Sequence, residues 1–306
     1  MRIKLGTRSS RLALAQARLI ARLLKKTHRG LNVELVEILT TGDQSSDQSL
    51  HSFGGAGIFV KELERALLDG RVDIAVHSLK DLPIRQPCGL TLAAVVGRED
   101  PRDAAIVRHR TRLENLRAGS IIGSGSPRRR AQLKHYFPHL EFAEIRGNVE
   151  TRIRKVEEGR YAGTILARAG LRRLNLTQKI TQTLSLNCVL PAPGQGALAL
   201  ECRARDARAR RLLKKLNNID VAACVTAERA TLEALGGGCH LPLGALATIE
   251  KVKGRRRLRL RATLGLPDGS KLARVEDTST LNRARALGRK VARLILAQGG
   301  QMWISP

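Results

Sequence analysis

Residues 72–83 read Val72-Asp73-Ile74-Ala75-Val76-His77-Ser78-Leu79-Lys80-Asp81-Leu82-Pro83. The short apolar run Val72 to Val76 follows a helix stop at Asp69-Gly70, and Pro83 closes the segment, so the spacing predicts a buried strand. A strand apolar on both faces belongs to an α/β sheet. It carries Ser78, Lys80 and Asp81 to its carboxyl end, where such sheets bind their ligands.

The surrounding chain supports that architecture. Arg2 to Leu5 reads as a strand and Leu12 to Leu24 as a helix. Val33 to Leu39 alternates like a strand, Phe59 to Leu68 reads as a helix, and Leu92 to Val96 as another strand. Strands separated by helices predict a largely parallel sheet covered on both faces. A break at residues 97–103 restarts the pattern: strand Ile121-Ile122, helix Arg128 to Tyr136, strand Glu141 to Ile145, helix Val149 to Glu158, strand Gly163 to Ala167. A second break, Leu190-Pro191-Ala192-Pro193-Gly194-Gln195-Gly196, precedes a smaller α+β unit. That unit has a helix from Ala222 to Leu235, strands Leu243 to Ile249 and Leu258 to Leu264, and a helix from Leu281 to Ala297.

With 306 residues, 42% of them apolar, the chain can build two or three cores. No apolar run reaches the roughly 18 residues of a membrane span, and the start lacks a signal-peptide pattern. A cytoplasmic location without membrane attachment is therefore expected. The five cysteines are scattered, with no C-x-x-C pair, so neither a disulfide framework nor a metal site is expected, and most should be buried. The formal net charge of +28 fits nucleic acid, an anionic membrane surface or an acidic small substrate. Aromatic content of 2% leaves little to stack on bases, which argues against specific nucleic-acid binding.

Four segments place arginine where a strand passes into a helix. Gly6-Thr7-Arg8-Ser9-Ser10 is the first, and Gly123-Ser124-Gly125-Ser126-Pro127-Arg128-Arg129-Arg130 the second. Ile145-Arg146-Gly147-Asn148 with Arg152 is the third, and Ala169-Gly170-Leu171-Arg172-Arg173 the fourth. Helix N-termini favour anions, so three arginines at residues 128–130 imply negative charge to neutralise. Planar guanidinium groups suit carboxylates. The pattern predicts a small-molecule polyanion site served by two α/β units. Asp81 could stabilise a cationic intermediate or move a proton. Leu235-Gly236-Gly237-Gly238-Cys239-His240 presents a thiol after three glycines, and basic surroundings would make it nucleophilic.

These segments in this order resemble the porphobilinogen deaminase (hydroxymethylbilane synthase) family, as do Phe59-Val60-Lys61-Glu62-Leu63-Glu64 and Pro193-Gly194-Gln195-Gly196-Ala197-Leu198. The resemblance implies two α/β domains like those of periplasmic binding proteins plus a smaller C-terminal α+β domain. Their expected bounds are 1–97 with 196–216, 102–191, and 220–306. It implies a dipyrromethane cofactor joined by a thioether to Cys239, with Ser78, Lys80, Ser126, Arg128 and Arg129 as further cofactor-binding residues. Asp81 is implied as the catalytic carboxylate, and Arg8, Ser10, Arg146, Arg152, Arg173 and Gln195 as substrate-binding. A loop over the site is implied at 43–57. Four porphobilinogen molecules would condense head to tail, each losing ammonia, and water would release hydroxymethylbilane. The family is usually monomeric. Gly125, Pro127, Arg130 and His240 depart from the usual family residues. Two other function classes remain in view: a non-catalytic cytoplasmic polyanion-binding protein of binding-protein fold, and a basic nucleic-acid binder.

Overall fold

A computed structural model describes residues 1–40, 60–238 and 241–300. The expected loop at 43–57 and Cys239, the cofactor anchor that the resemblance implies, lie outside these residues. The chain packs as two compact units, Met1–Glu99 with Gly196–Ala222, and Asp100–Gln195 with Ala223–Pro306.

The first unit contains strands β1 (Arg2–Arg8), β2 (Asn32–Ile38), β3 (Ile74–Ser78), β4 (Leu90–Arg98) and β10 (Ala197–Arg203), in the order β2-β1-β3-β10-β4. β1 runs parallel to β2 and β3, whereas β10 runs antiparallel to both β3 and β4. The expected largely parallel sheet is thus half antiparallel. The reason is β10: its apolar run Ala-Leu-Ala-Leu directly follows the Pro/Gly break and returns through the middle of the sheet. Helices α1 (Arg11–Thr27) and α6 (Ala207–Lys214) cover one face through Ile20, Leu24 and Leu213. Helix α2 (Lys61–Leu68) covers the other through Leu63 and Leu67. Successive strand residues face opposite sides, so β3, buried at Ile74–His77, is apolar from Ile74 to Val76, whereas β2 at the sheet edge tolerates Glu34 and Glu37.

The second unit holds two sheets. The larger has the order β7-β6-β8-β5-β9, built from β5 (Asp103–Val107), β6 (Ile121–Gly123), β7 (Glu141–Ala143), β8 (Gly163–Ala167) and β9 (Gln182–Thr183). β6 is parallel to β7 and β8, and β5 is antiparallel to β8 and β9. Helix α3 (Pro127–Tyr136) packs Leu133 against Ala105 and Val107 on one face. Helices α4 (Val149–Glu157) and α5 (Arg168–Arg173) pack Ile153 and Leu171 against Ala104 and Ile106 on the other.

The smaller sheet is an antiparallel meander of β11 (Leu243–Val252), β12 (Arg255–Gly265) and β13 (Leu272–Ser279). Leu258, Leu260, Ala262 and Leu264 face α7 (Ile219–Ala234) and α8 (Ala284–Ala297), where Ala227, Leu287, Val291 and Ile295 complete a core. Lys253 and Gly254, both at positive φ, make the two-residue turn between β11 and β12, the conformation that suits a right-twisted hairpin. Arg255 and Arg256 beside it are exposed, as a solvated charge run should be.

No helix among the described residues is long and apolar enough to cross a membrane. Cys202 and Cys224 are buried as expected, Cys188 is half-buried, and Cys88 is exposed. Burial of Cys202 among apolar neighbours raises its thiol pKa to about 11, with Asp206 adding to the effect.

Candidate active site

In the first unit, β1 and β3 are parallel neighbours, so their carboxyl ends share one edge of the sheet. Arg8 ends β1. Ser10 caps α1, its hydroxyl accepting from Ala13 N–H at 3.4 Å, so the capping role is filled by the residue the sequence also marked for substrate. At the end of β3, Ser78 Oγ accepts a 2.9 Å hydrogen bond from Gln16 Nε2 on α1. This bond ties α1 to the end of β3. Residues Leu79–Asp81 then form one 3₁₀ turn. Leu79 is fully buried and anchors it, while Lys80 is half-buried and the Asp81 side chain is exposed. Burial of Leu79 fixes the backbone of the turn that presents Asp81 at the surface.

Beneath this turn lies a feature the sequence reading did not single out. His77 Nε2 sits 3.2 Å from Glu201 Oε2 on β10, with side-chain exposures of 3% and 0%. Glu64 of α2 is buried nearby; burial raises its pKa first, and Glu201 adds to the rise, against His77 and Lys61. Buried Oε1 atoms of both Glu64 and Glu201 lack hydrogen-bond partners among the described residues.

In the second unit, the carboxyl ends of β6, β7 and β8 lie together, and antiparallel β5 begins beside the end of β8, Asp103 opposite Ala167. Ser126 caps α3, with Pro127 in the first turn, as the sequence predicts. Arg128 and Arg129 follow, and both are buried. Their anion is internal. Arg128 Nη1 donates to Asp103 Oδ2 at 2.8 Å and to Leu190 O at 2.7 Å. Arg129 Nη2 donates to Asp103 Oδ1 at 2.8 Å, and its Nη1 to Ile165 O at 2.9 Å. Gln195 Nε2 donates to the same Asp103 Oδ1 at 2.9 Å and to Pro101 O. Burial alone would raise the Asp103 pKa; the charges and hydrogen bonds of Arg128 and Arg129 more than reverse this and hold it well below the usual carboxylate range.

The arginines implied by the helix-start argument thus meet a carboxylate 25 residues upstream, which no local pattern marks. Two buried guanidiniums against one carboxylate leave a net positive charge. The buried Arg129 Nε also has no partner among the described residues. A further anionic group fits this arrangement, and the carboxylates of a dipyrromethane are of that kind.

The other basic residues are placed less uniformly. Arg146 lies in the loop after β7 and pairs with Glu144. Asn148 caps α4, accepting from Thr151 N–H at 2.9 Å, and Arg152 Nε donates to Gly147 O at 2.8 Å. Gly147 is required there: its φ is +105°, and a Cβ would meet the Thr151 side chain at 2.6 Å. Arg172 and Arg173 fall in the last turn of α5, so the fourth segment is not a helix start. Arg168 opens α5 instead and pairs with Asp100, which also takes Arg102 at 2.7 Å.

Residues 3–211 match the family model described as porphobilinogen deaminase, dipyromethane cofactor binding domain, and residues 222–297 match porphobilinogen deaminase, C-terminal domain. The chain belongs to the porphobilinogen deaminase family. A curated porphobilinogen deaminase from Chromobacterium violaceum is 45% identical over 304 residues, covering 99% of this chain and 97% of the relative. Two solved structures are more distant. The methionine binding protein MetQ is 14% identical, with TM-score 0.47, over 70% of this chain and 89% of its own. A nutrient binding protein from Burkholderia cenocepacia bound to methionine is 14% identical, with TM-score 0.44, over 70% and 90%. Likeness at this level carries no weight beside the porphobilinogen deaminase match.

Proposed function

We propose that this chain is a hydroxymethylbilane synthase that condenses four porphobilinogen molecules head to tail. The observation that carries the reading is the match to both family models in chain order. A dipyrromethane bound through Cys239 supplies the pyrrole carbon from which the chain grows. In each addition the substrate aminomethyl C–N bond breaks, ammonia leaves, a new C–C bond forms and the attacked carbon loses a proton. On release the C–C bond made in the first addition would break, the carbon on the enzyme-held side would regain a proton, and water would supply the hydroxyl of the first ring's methylene, giving hydroxymethylbilane.

Asp81 is the catalytic carboxylate. Its negative charge stabilises the cationic pyrrole left by ammonia and accepts the proton lost at the new bond. Its exposure on an anchored turn supports contact with a substrate. Ser78, Lys80, Ser126, Arg128 and Arg129 hold the cofactor carboxylates. Arg8, Ser10, Arg146, Arg152, Arg173 and Gln195 serve the substrate and the growing chain. Each pyrrole ring brings two carboxylates, so many charge-assisted contacts are required. We assign three domains, 1–97 with 196–216, 102–191 and 220–306; the three separate sheets support this division. A cytoplasmic monomer completes the reading.

The test is turnover of porphobilinogen with ammonia release and bilane formation. Asp81→Asn should keep the fold and the added mass on Cys239 while losing at least about a hundredfold in turnover, the scale of a positioned proton-transfer group. Near-normal turnover would remove Asp81 from its role.

A further inference from the structure

A cavity of about 300 Å³ opens in the second unit where residues 186–190 cross the β12–β13 strands; its polar lining is Arg261, Arg274, Glu276 and Asn187, and the rest is apolar. Its volume is at the lower end for small-molecule sites. None of these residues belongs to the segments assigned to the family reaction.

The two arginines are held in place but not neutralised. Arg274 Nη2 donates to Cys188 O at 3.3 Å, and its guanidinium lies 5.1 Å from the centre of the Tyr136 ring. Among the described residues Arg261 Nη1 reaches only Asn187 Oδ1, at 3.5 Å. Neither arginine forms an ion pair among the described residues. Register places Glu276 opposite Arg261, yet its carboxylate is taken by Arg259 at 2.7 Å. Arg259 also takes Glu250 at 3.2 Å. Three guanidiniums facing two carboxylates leave one unopposed positive charge at the cavity.

The apolar floor comes from Leu186, Leu190 and Val275. The floor wants a compact hydrophobic body, and two guanidinium forks want a planar acceptor of single negative charge. We propose that this cavity binds a small organic monocarboxylate, at a site separate from the residues assigned to porphobilinogen. The site also gives part of the chain's large positive excess a purpose.

The probe is 4-fluorobenzoate, followed by ¹⁹F NMR on the full chain, with neutral 4-fluorobenzamide as the shape-matched control. The carboxylate should bind at least about tenfold more tightly than the amide. Arg261→Gln and Arg274→Gln should each weaken it about tenfold, the scale of one charge-assisted hydrogen bond. Turnover of porphobilinogen by both variants should stay within about twofold of the parent. Equal binding of acid and amide would overturn the proposal. So would unchanged binding in both variants, or loss of carboxylate binding in Arg146→Gln instead.

Discussion

His77 and Glu201 form a buried pair on adjacent antiparallel strands, Nε2 to Oε2 at 3.2 Å, four residues before Asp81 in the chain. The pair joins β3, which ends at the Asp81 turn, to the central return strand β10. Losing a buried hydrogen bond to a carboxyl group costs about 1.5–3 kcal/mol. Glu201→Ala should therefore destabilise the protein by that amount in urea unfolding. Glu201→Gln, which keeps a hydrogen-bonding group, should cost clearly less. Equal stability of Glu201→Ala and the parent would show that the pair does not anchor β3.

Asp103 makes an acid-side prediction. Its folded pKa lies below that of an unfolded aspartate, about 3.9. The stability it contributes is present above that unfolded value and lost as pH falls toward the folded one. The parent should weaken steeply below about pH 4. Asp103→Asn should be less stable at pH 7 but show a shallower fall on acidification, measured by urea midpoints at several pH values. Parallel pH curves would contradict the assignment.

Glu64 makes the opposite one. Its folded pKa is raised, so its contribution is present below the unfolded value and lost as pH rises through the folded one. Glu64→Gln should change stability little at pH 4 and gain on the parent toward pH 8. A loss relative to the parent that grows with pH would show that Glu64 is needed as an anion.

Arg146 tests the basic loop after β7. Arg146→Gln should lower kcat/KM for porphobilinogen by about ten- to a hundredfold, the loss of one contact between charged groups, with the unfolding midpoint nearly unchanged. An unchanged kcat/KM would exclude Arg146 from substrate binding.

The sequence and the structure agree best where the signal is local. The Ser126-Pro127 helix start and the Val149–Glu157 helix lie within a residue or two of their predicted bounds, because caps and apolar spacing act within one turn. β10 is hidden behind the residue 190–196 break, and β13 ends in the continuous polar run Glu276-Asp277-Thr278-Ser279, which reads as a loop. The site shows the same division. Turn arginines and the Asp81 segment stand out in the sequence, but their supports do not. Asp103 is 25 residues from Arg128, and Glu201 is 124 residues from His77. Such partners meet only through strand order.

The central claim is that Cys239 carries a dipyrrole on which the bilane is built, and intact mass of the purified protein tests it most directly. The account predicts added mass equal to a dipyrromethane, absent from Cys239→Ser. An active protein whose mass equals that of the bare chain would contradict it.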